Sequence, residues 1–267
     1  MVECIIRLKD VAKYYFMGDN VVKALDGVDI CINKGDFVAI MGPSGSGKST
    51  AMNLTGSLDL ATHGEIYLGE HNIKTFTESE LAQVRGKKIG FIFQGFNLIP
   101  NLTALENVML PMMFQNVDIE ERAKKAHELL KTVELEDRED HYPNQLSGGQ
   151  QQRVAIARSL ANDPEIILAD EPTGNLDTKT GHKVLEFLKN LNTKGKTIIL
   201  VTHDSALAEE NARKIFWIKD GKLEKVTEKI RGKWKTLGVK EAEKEMNVKE
   251  EKTGKSVKKK AKTSKKK

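Results

Sequence analysis

One short stretch decides the fold of this 267-residue chain: Gly42-Pro43-Ser44-Gly45-Ser46-Gly47-Lys48-Ser49-Thr50. It fits the phosphate-binding pattern G-x-x-x-x-G-K-[ST], and it lies between an apolar run at 37–41 that predicts a strand and a predicted helix at 49–56. Its small residues let the backbone wrap around phosphates, so that N–H groups and the helix N-terminus face the negative charge. Lys48 can then reach the outer phosphates, and the Ser49 hydroxyl is placed to bind Mg²⁺.

A second glycine-rich motif, Leu146-Ser147-Gly148-Gly149-Gln150, follows about a hundred residues later. It opens a predicted helix and offers a hydroxyl and bare N–H groups to an anion. The simpler interpretation is an ordinary helix cap after the turn at Pro143-Asn144. One nucleotide needs only the first motif. The second motif therefore indicates that a nucleotide is also bound from another side.

Two acids, Asp170 and Glu171, end a predicted buried strand at 166–169. A carboxylate in this position can hold Mg²⁺, and its neighbour can polarise a water for attack on a γ-phosphate. Taken alone, such a pair is equally typical of a solvated turn. The phosphate-binding loop favours the catalytic interpretation.

The order of elements indicates an α/β fold with a helical insertion at roughly 95–160. Helices are predicted after the Thr103-x-x-Glu106 capping box, after Asp118 and from Ser147. Strands are predicted at 4–8, 28–32, 37–41, 89–93, 166–169, 197–201, 214–218 and 222–226, the last two joined by a hairpin at Asp220-Gly221.

Composition predicts a soluble, cytoplasmic protein, with 39% hydrophobic and 30% charged residues. No apolar stretch approaches the roughly 20 residues that span a bilayer, and the first residues do not resemble a signal peptide. Cys4 and Cys31 lie in strand-like apolar contexts and are expected to be buried thiols.

The net charge of +5 is unevenly distributed. Residues 228–267 contain 16 Lys and Arg against 6 Glu, a net charge of +10, which leaves about −5 for residues 1–227. We therefore predict a folded domain over 1–227 and a lysine-rich, disordered tail over 228–267. The tail is a solubilising end or a weak contact with anionic lipid. Specific nucleic acid binding is not expected, because the tail lacks interleaved aromatic residues.

The motifs occur in the order typical of an ATP-binding-cassette ATPase, which the chain resembles over residues 1 to about 226. The resemblance rests on both glycine motifs, Gln94, the run Ile167-Leu168-Ala169-Asp170-Glu171-Pro172-Thr173, the run Asn175-Leu176-Asp177, and His203. It implies a P-loop NTPase core with an N-terminal antiparallel β subdomain and an inserted α-helical subdomain. It also implies hydrolysis of ATP, with ATP and Mg²⁺ as cofactors.

The resemblance also implies residue roles. Glu171 would be the catalytic base, and His203 would contact the γ-phosphate and position the attacking water. Lys48, on the outer phosphates, and Gln94 would complete the catalytic residues. Gln94 would bind Mg²⁺ together with Ser49 and Asp170. Tyr15, in preference to its neighbour Tyr14, would stack on adenine, since an aromatic face suits a base.

The partners follow from the same resemblance. Ser147–Gln150 of one subunit would close over ATP bound to the P-loop of a second copy, and Asp177 would reach across that interface. The run from Gln94 to Pro111 resembles ATPases of the lipoprotein-releasing and macrolide-exporting type, in which this region docks on a membrane permease. Gly95 departs from that pattern, where Gln is expected, and so does Ala61-Thr62, where Pro-Thr is usual.

Such a subunit would lie on the inner face of the cell membrane and drive a separate permease. The alternative is a soluble, non-transport cassette that acts on ribosomes or DNA. Relatives of that kind carry two cassettes or a long inserted coiled coil, and this chain contains neither feature. A regulatory module with little turnover is a third hypothesis, which the presence of both Glu171 and His203 disfavours.

Overall fold

The computed structural model describes residues 4–238, which form two β sheets and a set of surrounding helices. The strands are β1 (Cys4–Met17), β2 (Asn20–Asn33), β3 (Phe37–Met41), β4 (His63–Leu68), β5 (His71–Asn72), β6 (Ile89–Ile92), β7 (Ile166–Asp170), β8 (Thr197–Thr202), β9 (Lys214–Lys219), β10 (Lys222–Ile230) and β11 (Lys233–Leu237). The α helices are α1 (Lys48–Thr55), α2 (Glu78–Lys88), α3 (Ala104–Met113), α4 (Ile119–Thr132), α5 (Gly148–Ser159), α6 (Thr178–Thr193) and α7 (Ser205–Asn211).

The larger sheet has the strand order β11-β10-β9-β3-β8-β7-β6. Its strands are parallel from β9 to β6, and β10 and β11 add an antiparallel edge. Every residue of β3 and β8 is buried, because the sheet is covered on both faces. Val38 and Ile40 pack into a core shared with the N-terminal strands, whereas Phe37, Ala39 and Met41 face the core of the helical side.

The smaller sheet, of order β2-β1-β4-β5, is antiparallel and forms the predicted N-terminal subdomain. Helices α3 to α5 lie between β6 and β7 and form the predicted insertion. The predicted fold class is therefore confirmed. Strands β1 and β2 each extend over 14 residues, much further than the sequence indicated. Their far ends around Met17 and Asn20 are exposed and carry no hydrophobic alternation from which a strand could be predicted.

The expectation for the two cysteines was wrong. Cys4 and Cys31 are half-buried rather than buried, and they form a disulfide between β1 and β2, with Cα atoms 5.9 Å apart. Sequence alone does not reveal which strand positions face each other. The pairing depends on the register of β1 against β2, which is irregular between Cys4 and Ile6.

The sheet also continues beyond residue 227, where we expected the tail to begin. Residues 228–230 complete β10, and β11 pairs with it so that Val226 lies opposite Leu237. Leu237 is buried, and Trp234 packs against the core of the helical side, which explains why this basic segment is ordered. The rest of the predicted tail, 239–267, lies outside the described residues. Within 4–238, no helix has the length and apolar character required to cross a membrane.

Candidate nucleotide-binding site

The parallel strands bring the predicted site residues to one edge of the large sheet. Met41 at the end of β3 is paired with Thr202 of β8, and Asp170 at the end of β7 is paired with Val201. Crevices at the carboxyl ends of parallel strands are where such sheets bind ligands. The segments that leave this edge are the phosphate loop at 42–47, Gln94, Glu171 and His203.

The phosphate loop is tightly enclosed by backbone at two of its glycines. A Cβ on Gly42 would collide with the carbonyl oxygen of Ile218 in β9, and one on Gly47 would collide with that of Ala24 in β2. Gly47 also has a φ of 103°, which favours glycine, and it caps the start of α1. The loop can therefore take this path only if both positions lack a side chain.

Polar groups around this loop fit a phosphate. The Lys48 Nζ donates to the carbonyl oxygen of Pro43 at 2.9 Å, which folds the ammonium back over the loop. Ser46 is only 3% exposed, and its Oγ finds no hydrogen-bond partner within residues 4–238. Ser49 lies exposed in the first turn of α1. A phosphate oxygen would supply the acceptor that both Lys48 and Ser46 can use.

The ionised form of Asp170 is destabilised by its surroundings, and a bound divalent cation would stabilise it. Burial raises the pKa of Asp170, the neighbouring Glu171 carboxylate raises it further, and the Lys48 ammonium lowers it. Carboxylate and hydroxyl oxygens are ligands that Mg²⁺ prefers. The side chains of Asp170 and Ser49 therefore fit a magnesium ion.

Glu171 and His203 form a hydrogen-bonded pair beside these residues. Glu171 Oε1 lies 2.7 Å from His203 Nδ1. An ionised carboxylate only accepts hydrogen bonds, so Nδ1 donates and Nε2 is left for another group. The Glu171 backbone has a φ of 43°, held by its N–H, which donates to the Val201 carbonyl oxygen at 2.8 Å. Strain of this kind is concentrated at functional sites.

Gln94 is exposed and is tied to the segment that follows Glu171. The side-chain amide of Asn175 donates to the Gln94 carbonyl oxygen at 2.8 Å. The Gln94 amide nitrogen lies over Gly174, 2.8 Å from where a Cβ of that glycine would be. Asn175 therefore holds the backbone of Gln94, a contact that sequence reasoning did not predict.

The second glycine motif is placed elsewhere, next to Asp177. Ser147 caps α5, with its Oγ accepting from the Gln150 N–H at 3.3 Å and its own N–H donating to Gln150 Oε1 at 2.8 Å. A Cβ on Gly149 would press against the methyl group of Thr180, whose N–H donates to Asp177 Oδ1 at 3.0 Å. The Thr180 hydroxyl also holds the pKa of Asp177 below its ordinary value. The motif and Asp177 are thus neighbours, and Ser147 and Asp177 are exposed.

The two candidate adenine-stacking residues differ in their surroundings. The Tyr14 hydroxyl donates to Asp26, which raises the pKa of Tyr14, and the Asp26 N–H binds the Gly221 carbonyl near the phosphate loop. Tyr15 is 39% exposed, and its hydroxyl donates to Asp59 at 3.2 Å. A lysine ammonium lies 5.2 Å from the centre of each ring, Lys23 over Tyr14 and Lys13 over Tyr15. Tyr15 is the more exposed of the two, and its assignment to adenine stays a prediction.

A phosphate loop of this shape, beside a strand that ends in two carboxylates and a carboxylate-bound histidine, is suited to nucleotide hydrolysis. The fold and the site together define a P-loop nucleotide hydrolase with an inserted helical subdomain. A family model described as ABC transporter matches residues 25–174, more than half of the chain. The chain belongs to this family.

Individual relatives agree with that assignment. The uncharacterized ABC transporter ATP-binding protein MJ0796 of Methanocaldococcus jannaschii is 55% identical over 232 residues, covering 85% of this chain and 98% of the relative. The macrolide export ATP-binding/permease protein MacB of Hyphomonas neptunium is 49% identical over 219 residues, covering 82% of this chain but 34% of that protein.

A solved structure supports the fold and the activity. The dimeric post-hydrolysis state of the ATP-binding cassette MJ0796 bound to ADP and Pi has a TM-score of 0.78 and 52% identity, and the match covers 84% of this chain and 98% of that one. The chain is accordingly an ATP-binding cassette with ATPase activity. The predicted family is confirmed.

Proposed function

We propose that two copies of this chain close around ATP, and that its hydrolysis drives a separate membrane permease. The observation that carries the proposal is that one chain holds two glycine-rich elements suited to an anion, the phosphate loop and Ser147–Gln150, in different surroundings. The former is enclosed by β2 and β9, whereas the latter packs beside Thr180 of α6. A second copy would bring the two elements together. The dimeric structures of MJ0796 favour this arrangement.

The side chains at the sheet edge divide the chemistry among them. Lys48 holds the outer phosphates, and Glu171 takes the proton of the attacking water while His203 keeps its carboxylate oriented. Mg²⁺, when bound by Ser49, Gln94 and Asp170, would offset charge on the phosphate oxygens. Across the interface, Ser147 and its glycines would contact the phosphate of the partner's ATP, with Asp177 beside them. Tyr15 would stack on the adenine.

The permease assignment rests on the segment from 94 to 111, which resembles the lipoprotein-releasing and macrolide-exporting type. The name of MacB joins an ATP-binding and a permease function in one protein. We infer that the present chain supplies the first function to a separate permease at the inner face of the membrane, for release of lipoprotein, export of macrolide or peptide, or transmission of force. Purification of the Glu171→Gln chain from membranes tests this. An integral membrane protein should accompany it in the presence of ATP.

Replacing one helix cap at a time tests whether Ser147 is more than a cap. Ser147 and Thr77 both cap a helix through a complete capping box, at α5 and α2 respectively. Ser147→Ala and Thr77→Ala should each cost about 1 kcal/mol of stability. Only Ser147→Ala should also lower ATP hydrolysis, by about tenfold or more, because only Ser147 contacts the partner's nucleotide. If the two variants hydrolyse ATP at the same rate when compared at the same folded fraction, Ser147 acts only as a helix cap.

The lysine-rich end can be tested separately. Residues 255–267 contain eight lysines, and each lysine near an anionic surface contributes about 1 kcal/mol of attraction. Truncation after Gly238, which preserves β11, should leave ATP hydrolysis nearly intact and weaken binding to anionic liposomes at low salt. Cosedimentation at two salt concentrations measures this, with neutral liposomes as the control. Undiminished binding by the truncated chain would leave the tail as a solubilising end.

A further inference from the structure

The backbone that follows Gln94 has an unusual conformation. Phe96 and Asn97 have φ angles of 60° and 50°, in the left-handed region that residues other than glycine rarely adopt. A bulky side chain such as that of Phe96 is especially disfavoured there. Two consecutive residues of this kind persist only where neighbouring groups hold them in place.

Arg158 of α5 holds Phe96 and Asn97 in this conformation. Its Nη1 donates to the Asn97 carbonyl oxygen at 2.6 Å, and its Nη2 donates to the Phe96 carbonyl oxygen at 2.7 Å. The planar guanidinium thus grips two successive carbonyls with short, charge-assisted hydrogen bonds. Across residues 4–238, no carboxylate forms an ion pair with Arg158. The two carbonyl oxygens are therefore the acceptors that satisfy its charge in this part of the chain.

The same helix has further attachments to the candidate site, the first of which is Gly148, where a Cβ would lie 3.8 Å from the Phe96 ring. It begins after Ser147, which we assign to the partner's nucleotide. Midway along it, the fully buried Gln152 donates from Nε2 to the Pro172 carbonyl oxygen at 2.8 Å, directly after Glu171. Ser147 and Arg158 are about 16 Å apart along the helix axis, at about 1.5 Å per residue. Because a helix is stiff, a movement of α5 at Ser147 also displaces Arg158 at its other end.

We propose that Arg158 is a positioning residue for Gln94. By clamping the carbonyls of Phe96 and Asn97, it fixes the direction in which the chain leaves Gln94, and Asn175 fixes the Gln94 carbonyl from the other side. Closure of Ser147 over a partner's nucleotide then reaches Gln94 through α5 and the guanidinium. The inference rests on the proposed role of Gln94 as a ligand of Mg²⁺.

The first test needs neither nucleotide nor metal. Hydrogen exchange of the nucleotide-free full chain is followed in the peptide that spans 93–99, for Arg158→Met, Arg158→Lys and the control Arg85→Met. Arg85 of α2 also donates to a backbone carbonyl, that of Ser57 at 2.9 Å, and it lines the same cavity as Asn97, but among residues 4–238 it makes no hydrogen bond to Phe96 or Asn97. Exchange should rise about tenfold in Arg158→Met, less in Arg158→Lys, and stay unchanged in Arg85→Met. Unchanged exchange in Arg158→Met would overturn the clamp.

The second test separates positioning from general destabilisation. Loss of a group that orients a metal ligand typically weakens metal binding 10- to 100-fold. The Mg²⁺ concentration for half-maximal hydrolysis should therefore rise about tenfold in Arg158→Met, with the KM for ATP nearly unchanged. Gln94→Ala should cause a similar rise, and the double variant should add nothing to it. A further rise in the double variant would mean that Arg158 acts independently of Gln94, and would refute the positioning role.

The two tests also distinguish failure of this inference from failure of the proposed function. An unaltered Mg²⁺ requirement in Gln94→Ala would remove Gln94 from the metal site, and with it the positioning role of Arg158. The hydrogen-exchange result would then still decide whether Arg158 holds the strained backbone. If Gln94→Ala shifts the Mg²⁺ requirement and Arg158→Met does not, the metal assignment stands and the inference about Arg158 is wrong.

Discussion

Replacement of Glu171 with Gln is expected to convert the chain into a stable dimer in the presence of ATP. The amide keeps the size of the side chain, and its oxygen can still accept the hydrogen bond from His203 Nδ1, which lies 2.7 Å from Glu171 Oε1. It cannot take a proton from water. Loss of a general base, the role that we propose for Glu171, slows such reactions by about 10²- to 10⁴-fold, so bound ATP is expected to remain intact.

The same substitution also changes the charge at the proposed dimer interface. Glu171 contributes to the raised pKa of Asp170, which shows that the two carboxylates repel each other. Neutralising Glu171 therefore removes one negative charge beside the proposed position of the γ-phosphate. Both effects act in one direction, towards prolonged ATP binding and a longer-lived dimer.

Gel filtration of the full chain with ATP and Mg²⁺ measures this result. Glu210→Gln is a suitable control, because it removes one carboxylate from a surface pair with Lys189, where the two charged atoms are 3.1 Å apart. The control should behave as the unaltered chain does. A Glu171→Gln chain that stays monomeric at saturating ATP would rule out closure of two copies around the nucleotide.

The location of the candidate site could be predicted from sequence because local signals were strong. A continuous apolar run predicted β3, a glycine-rich loop followed it, and a second apolar run ended in Asp170 and Glu171. Buried parallel strands place their carboxyl ends at one edge, so proximity of these groups follows once both strands are recognised. The structure pairs each of these strands with β8, which joins them.

Contacts between distant segments could not be predicted in the same way. Arg158 and Gln152 donate to backbone carbonyls of Phe96, Asn97 and Pro172. Because every residue has a backbone carbonyl, the sequence does not indicate which ones accept these hydrogen bonds. The Cys4 to Cys31 disulfide depends on strand register in the same manner.

The missed secondary structure has a related cause. The exposed ends of β1 and β2 and the basic strand β11 lack the periodic apolar pattern from which strands are predicted. Helices α6 and α7 follow directly after Asp177, which we assigned to the dimer interface, and Asp204, to which we assigned no role. Asp177 and Asp204 prove to be their N-terminal caps, accepting from backbone N–H groups at 3.0 Å and 2.9 Å respectively.

Lys48→Ala is expected to abolish nucleotide binding at ordinary concentrations. Lys48 holds its ammonium over the phosphate loop through the Pro43 carbonyl, where it can form charge-assisted hydrogen bonds with the outer phosphates. Hydrogen bonds to charged groups contribute about 1.5–3 kcal/mol each. The loss of one such bond predicts about a 10- to 100-fold rise in the Kd for ATP, and the loss of two about a 10²- to 10⁴-fold rise, since about 1.4 kcal/mol corresponds to a factor of ten.

Loss of this cation has a second consequence, which depends on pH. Burial and the Glu171 carboxylate raise the pKa of Asp170, whereas the Lys48 ammonium lowers it. Removal of the ammonium should therefore raise this pKa further. The protonated form of Asp170 cannot bind Mg²⁺, and a higher pKa extends this form to higher pH. Binding of ATP with Mg²⁺ by Lys48→Ala should therefore weaken more steeply on acidification than binding by the unaltered chain, whereas binding measured with EDTA should not.

Titration calorimetry at several pH values distinguishes the two effects. Lys189→Ala, which removes an exposed lysine from the pair with Glu210, serves as the control for loss of one positive charge. Lys48→Arg retains a cation near Asp170 but replaces the compact ammonium with a larger planar group. It should keep the pH dependence of the unaltered chain while still binding ATP more weakly. Near-normal affinity of Lys48→Ala would contradict the assignment of the phosphate loop, on which every other role at this sheet edge depends.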